Sequence, residues 1–209
     1  MKQFIDFGSI GEFRVAMKYM NQLSKRIMGH YVVQAVATEK VHGSNAAVCY
    51  NHTDGMWVQS KDRILSIEAD NAGCVEFVDE RSGAWMQVIQ KMAEYHSIDL
   101  NKKTLTVYFE WCGGGIQKKS AVSSLDKRAI IFAHIKTTDI DAIADKHGKF
   151  DCEWFDSIMS SYDDNIFNVT NSPFWQIEID FARPDLTINK LVELVATIEE
   201  SSPLGAHHG

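Results

Sequence analysis

The stretch TLTVYFEW, residues 104–111, alternates without a break. Successive side chains of an extended strand leave on opposite faces. Leu105, Val107, Phe109 and Trp111 therefore share one face, and Thr104, Thr106, Tyr108 and Glu110 share the other. This predicts a strand with one fully apolar face. It also predicts that Glu110 lies on a polar surface, facing either a cavity or solvent.

Such a strand needs partners, and the chain supplies them. YVVQAVATEK (31–40) reads as a buried strand. AAVCY (46–50) and MWVQS (56–60) flank NHTDG, whose Asp54-Gly55 pair signals a hairpin. AIIFAHIK (129–136) and FWQIEIDF (174–181) read as further strands, and GGGIQKK as a flexible loop. Helical spacing recurs at 11–28 through Phe13, Ala16, Met17, Met20, Leu23 and Ile27, and from about 71 to 96 through Trp85, Val88, Ile89 and Met92. A short helix is expected over 139–147. A final helix carries Ile188, Leu191, Val192, Val195 and Ile198. Hairpins mixed with helices predict an α+β fold with antiparallel sheets flanked by helices, and not a doubly wound sheet.

With 209 residues, 45% of them hydrophobic, and no repeat or low-complexity linker, a single domain over 1–209 can bury a core. The formal charge of −7 excludes a general polyanion binder, so any nucleic-acid contact must be local. Cys49, Cys74, Cys112 and Cys152 are widely spaced and form no C-x-x-C pair, which argues for reduced thiols and against a cysteine zinc site. No signal-peptide pattern or bilayer-length apolar run is visible, so a cytoplasmic location is expected.

ATEKVHGSNAAV, residues 37–48, is the stretch that points to chemistry. Lys40 follows an apolar strand, and Gly43 permits close approach of the backbone to a ligand. A lysine nucleophile must lose a proton, and at pH 7 only roughly one ordinary lysine in 2,500 is neutral. Burial or a neighbouring cation has to help. An isolated K-x-x-G is short and common, and reads first as a strand-end lysine reaching for water.

The longer string TEKVHGSN resembles the nucleotidyltransferase motif of the ATP-dependent RNA ligase family, in the branch of the second T-even phage RNA ligase and the RNA-editing ligases. VQSKDRIL (58–65), EADNAG (68–73), VYFEWCGGGIQK (107–118) and AIIFAHIK are similar to the segments that follow in that family, in order and at suitable spacing. The resemblance covers about residues 30 to 136. It implies an adenylyltransferase domain that takes ATP and Mg2+, forms lysyl–AMP, passes AMP to an RNA 5′-phosphate, and joins that end to a 3′-hydroxyl in a nick or duplex, as in RNA repair. The K-V-H-G-S-N form favours this over the related DNA ligases and capping-type guanylyltransferases.

Residue by residue, the resemblance makes Lys40 the nucleophile. Arg63 holds ribose or phosphate, where read alone SKDR is a charged turn. Glu110 is a ribose and metal-site ligand. The backbone around Glu39 and Val41 reads the adenine edge, while His42 and Asn45 shape the pocket. Phe132 or His134, two apart on one strand face, stacks on the base, with the register favouring His134. His134 reads equally as a hydrogen-bonded core histidine. Lys118 and Lys119 meet RNA phosphates or belong to a solvated loop. The family also carries a later E-G-[IV]-V motif and a strand with two lysines that contact the triphosphate. The chain ends at SSPLGAHHG, where these are due, and its one late strand glutamate, Glu178, precedes the last helix. The expectation is therefore a domain incomplete at its C-terminus, with open sheet edges. It would be slow or impaired in transfer alone, acting as a nucleotide- or RNA-end-binding fragment, or would be completed by a companion chain.

Overall fold

The computed structural model describes residues 1–7, 12–27, 32–141, 150–152, 163–169 and 174–201. The helix expected over 139–147 lies outside these beyond Asp141. The chain is α+β and rich in antiparallel pairing. It divides into two compact units. The described part of the first is residues 1–7, 40–141, 150–152 and 163–169; that of the second is 12–27, 32–39 and 174–201. Among the described residues no helix is long and apolar enough to cross a membrane.

The second unit pairs β1 (Val32–Thr38) with β8 (Phe174–Asp180), antiparallel, and adds α1 (Phe13–Ile27) and α4 (Pro184–Ser201). Its core is Met17, Ile177, Ile179 and Phe181, with Met20, Ala35, Ala37, Trp175, Leu191 and Leu194 around it. Two expectations change here. The β1 run is not buried: Val32 and Val33 are exposed, because β1 has one neighbour, β8, among the described strands. In α4 the inward residues are Leu191 and Leu194, while Ile188, Val192 and Val195 are exposed. A helix with apolar residues on two sides can turn only one of them inward.

The first unit is built on a six-stranded sheet. The order is β3 (Gly55–Ser60), β2 (Ser44–Asn51), β4 (Lys103–Cys112), β5 (Arg128–Asp139) and β6 (Phe150–Cys152), with β7 (Ile166–Asn168) pairing parallel to β5. Asp54-Gly55 closes the β2–β3 hairpin, with Gly55 at φ 69°, where only glycine is unstrained. The helix expected from 71 to 96 is two: α2 (Cys74–Glu80) starts after left-handed Gly73, and α3 (Ser82–Tyr95) follows a break at Arg81. The Arg81 guanidinium lies 4.2 Å from the Phe77 ring centroid and donates to the Asp164 carbonyl at 2.9 Å, which fixes the corner. Both helices cover the apolar face of the sheet, through Phe77 on Trp111 (4.7 Å) and Trp85 on Phe109 (5.2 Å).

The other face of β4 departs from expectation. Thr104, Thr106 and Tyr108 are buried; only Glu110 is partly open. The cover is the chain's own first seven residues. Ile5 packs with Cys49 and Trp57. The Gln59 carboxamide accepts from Ile5 N (3.0 Å) and donates to Ile5 O (2.6 Å), as a neighbouring strand would. Tyr108 Oη donates to the carbonyls of Ile5 and Asp6, and Lys136 Nζ donates to that of Asp6. Within the sheet, Asn51 Nδ2 donates to Thr104 Oγ1 at 2.9 Å. Polar residues are buried here because each finds a hydrogen-bond partner. Cys49, Cys74 and Cys112 are free and buried.

Trp85 is fully buried, and its indole N–H has no hydrogen-bond partner among the described residues. Trp85→Ala should cost about 3–5 kcal/mol of stability in urea unfolding. Trp85→Phe should cost less than half of that, because it also removes the unpaired donor.

Candidate functional site

Antiparallel connection brings four strand ends together. β2 starts at Ser44, β3 ends at Ser60, β4 ends at Cys112 and β5 starts at Arg128, all at one end of the sheet. The loops at that end carry Lys40, Arg63, Lys118 and Lys119. On the last rungs Asn45 is opposite Glu110, and Glu110 is opposite Ile130, so the Asn45 and Glu110 side chains share a face.

Gly43 closes the arrangement. Its N–H donates to Glu110 Oε1 at 2.8 Å, and its carbonyl accepts from Gln117 Nε2 at 3.2 Å. A Cβ on Gly43 would lie 2.4 Å from the Trp111 carbonyl oxygen and 2.9 Å from Cys112 Cβ. Only a residue without a side chain lets the 40–43 segment lie this close to β4. The 113–120 loop is drawn in by Gln117, a role that sequence reasoning missed; the only signal was an uncharged amide in a glycine and lysine loop.

Glu110 is half-buried. Burial pushes its carboxyl above the usual value, opposed by the Gly43 N–H and then by the positive charges of Lys40 and His42. Lys40 and His42 are both exposed, and Lys40 forms no ion pair among the described residues. Val41 is buried beside them. Glu39 is half-buried and belongs to the second unit. Arg63 ends a tight turn in which Ser60 N donates to the Arg63 carbonyl at 2.8 Å. Its guanidinium is exposed and unpaired among the described residues. The following turn is tied to β4: Trp111 Nε1 donates to Asn71 O (3.1 Å), and Lys127 Nζ to Ala72 O (2.8 Å). These bonds hold Ala72 in the left-handed region, at φ 54°.

Lys118 and Lys119 are exposed on the glycine loop. Phe132 is half-buried, with its ring against Phe7. The backbone of His134 pairs with Cys152; its side chain lies outside the described part. Simple alternation does not relate the two, because the β4–β5 register shifts between them: Phe109 is opposite Ile131, but Val107 is opposite Ile135. Among the described residues no three His, Cys, Asp or Glu side chains gather to hold a metal. Glu110 has one carboxylate oxygen bonded to Gly43.

In comparisons with known proteins, no family model and no curated protein matches this chain.

Two measurements check the geometry. Gly43→Ala should destabilise by about 1–3 kcal/mol in denaturant titration, since backbone has to move. For Glu110, a raised carboxyl binds its proton more tightly in the folded state. Its contribution to stability is complete below the ordinary value of 4.5 and is lost as pH rises from there through the folded value. Glu110→Gln keeps an acceptor for Gly43 and carries no charge. The variant should lose that part of the downward slope of stability with pH, measured by thermal melts from pH 4 upward.

Proposed function

We propose that this chain is the adenylyltransferase domain of an ATP-dependent RNA ligase, with Lys40 as its nucleophile. The observation that carries the reading is the 2.8 Å bond from Gly43 N to Glu110 Oε1, made across 67 residues of sequence. It joins the lysine motif to the glutamate of the later motif, within reach of the Lys40 charge. A nucleotidyltransferase needs an amine, a carboxylate and a guanidinium around one nucleotide, and the same sheet end carries Lys40, Glu110 and Arg63.

In the first step Lys40, having released a proton to solvent, attacks the α-phosphorus of ATP. The N–P bond forms, the bond to the bridging oxygen breaks, and pyrophosphate leaves with the electron pair. Arg63 suits phosphate oxygens, because its planar fork donates in parallel. Glu110 and Asn45 orient the ribose, and the backbone at Val41 meets the base. The AMP then passes to an RNA 5′-phosphate, and a 3′-hydroxyl displaces it. Lys118 and Lys119, exposed on the glycine loop, would meet RNA phosphates.

Magnesium usually keeps several waters and binds through one or two carboxylates plus substrate phosphates. The Glu110 carboxylate fits an ion carried in with ATP. Glu110 would hold it, and the ion would neutralise phosphate charge. A cytoplasmic location is part of the same proposal. The alternative is a chain that binds a nucleotide or RNA end without transfer.

Incubation with α-labelled ATP or GTP, followed by a denaturing gel, tests the proposal. Label from ATP should stay with the chain, map to Lys40 and vanish in Lys40→Ala, whose melting temperature should stay within about 2 °C of wild type. Label on another lysine would sink the assignment. Label from GTP alone would favour a capping-type enzyme. Nucleotide binding without label would favour the second reading.

A further inference from the structure

The fifteen residues of α1 hold Arg14, Lys18, Lys25 and Arg26 and no Asp or Glu, a charge of +4 in a chain of net −7. Spacings of four and seven residues put Arg14, Lys18 and Lys25 on one face, a stripe about 16 Å long. Tyr19 and Arg26, seven apart, share the adjoining face. All five side chains are exposed, Tyr19 by 65%. Lys18, Lys25 and Arg26 make no ion pair or hydrogen bond among the described residues, and Arg14 has only a 3.5 Å contact with exposed Glu12. Helix stability accounts for half of this charge. Lys25 and Arg26, in the last turn, suit the negative end of the helix dipole. Arg14 lies at the positive end, where a cation is unfavourable and the first turn has no acid; Lys18 is mid-helix and gains nothing. The inner side of α1 is fixed. Met17 packs with Ile177, Ile179 and Phe181, and Asn21 Nδ2 donates to the Phe181 carbonyl at 2.7 Å. The cationic side is thereby held outward.

We propose that the outer side of α1 is a docking face for RNA, taking the phosphate backbone of a single strand without reading its sequence. The choice of polymer rests on the RNA-joining reading above; the place rests on α1 itself. An acidic chain can hold a polyanion only through a local cluster of cations, and α1 is such a cluster. Exposed cations lose little hydration on meeting phosphates, and each contact releases a counterion from the strand. Tyr19, beside Arg26, offers a ring on which any unpaired base can stack. A membrane surface suits α1 less well. A helix lying in a bilayer interface needs its apolar face for the acyl chains, and that of α1 is spent on the core of the second unit.

The test is the salt dependence of binding. Fluorescence anisotropy follows a labelled oligouridylate on the full chain, with magnesium and without ATP, from about 50 to 200 mM salt. Lys18→Gln with Lys25→Gln removes two charges and keeps good helix formers. The slope of log affinity against log salt should become shallower by about 1.4, and affinity at 0.1 M salt should fall on the order of tenfold. Lys18→Arg with Lys25→Arg should keep the wild-type slope. Lys102→Gln with Lys103→Gln removes the same charge from the first unit and should leave the slope unchanged. An unchanged slope in the α1 glutamine variant, or equal loss in the Lys102 and Lys103 variant, overturns the inference and leaves the ligase reading standing. Binding to phosphatidylserine vesicles that depends on Lys18 and Lys25, with RNA binding unaffected, also overturns it and makes α1 a membrane contact. Failure of the wild-type chain to bind RNA overturns both readings. Adenylylation of Lys40 uses no RNA and should be equal in all variants, so its loss would not be mistaken for loss of docking. Should the glutamine variant not fold, acetylation footprinting of the wild-type chain decides. RNA should protect Lys18 and Lys25 and leave Lys102 and Lys103 reactive; unprotected Lys18 and Lys25 overturn the inference.

Discussion

The close approach of Gly43 to β4 is the contact on which the candidate site depends. With the Trp111 carbonyl 2.4 Å from where a Cβ would be, the 40–43 segment lies against the strand backbone itself. That closeness lets a main-chain N–H reach the Glu110 carboxylate, and it brings the Lys40 and His42 charges near enough to be felt there. The Gln117 contact then adds the glycine loop to the same point. One missing side chain thus joins three segments that are remote in sequence.

β4 is the structural centre of the first unit because both its faces are buried. α2 and α3 cover the apolar face through Phe77 and Trp85. The N-terminal segment covers the polar one, and it does so with backbone groups that satisfy buried side chains. An apolar cover would have left the Tyr108 hydroxyl, the Gln59 amide and the Lys136 ammonium without these bonds, at a cost of about 1–3 kcal/mol for each neutral group and more for the charge. Burial then falls off at Glu110, where the segment has already passed and the strand end opens.

How much of this could be read beforehand depended on range. The β2–β3 hairpin was legible because Asp54-Gly55 is a local signal, and β4 because its alternation is strict. What covers a strand is not local. Thr104 and Thr106 read as part of a polar face, with nothing local to say what meets it, yet Asn51 bonds Thr104, Thr106 donates to Cys49 and both are buried. The break at Arg81 was hidden by helical spacing on both sides of it. At the site, the importance of Lys40, Glu110 and Arg63 came from a resemblance in motifs; periodicity marked only Glu110. The Gly43–Glu110 bond spans 67 residues, and no window-based pattern carries such a contact. The irregularity at Phe132 was likewise invisible, since AIIFAHIK reads as an unbroken strand.

The N-terminal segment also sets an order of events in the making of this protein. Its partners are Gln59, Tyr108 and Lys136, and the last lies 130 residues further on. At roughly 5–20 residues per second on the ribosome, Asp6 is added about 6 to 26 seconds before Lys136. Gln59 and Tyr108 are added within that interval, so the partners of Ile5 exist before the one that Lys136 gives to Asp6. The cover over this face therefore gains its bond from Lys136 only once β5 has been made.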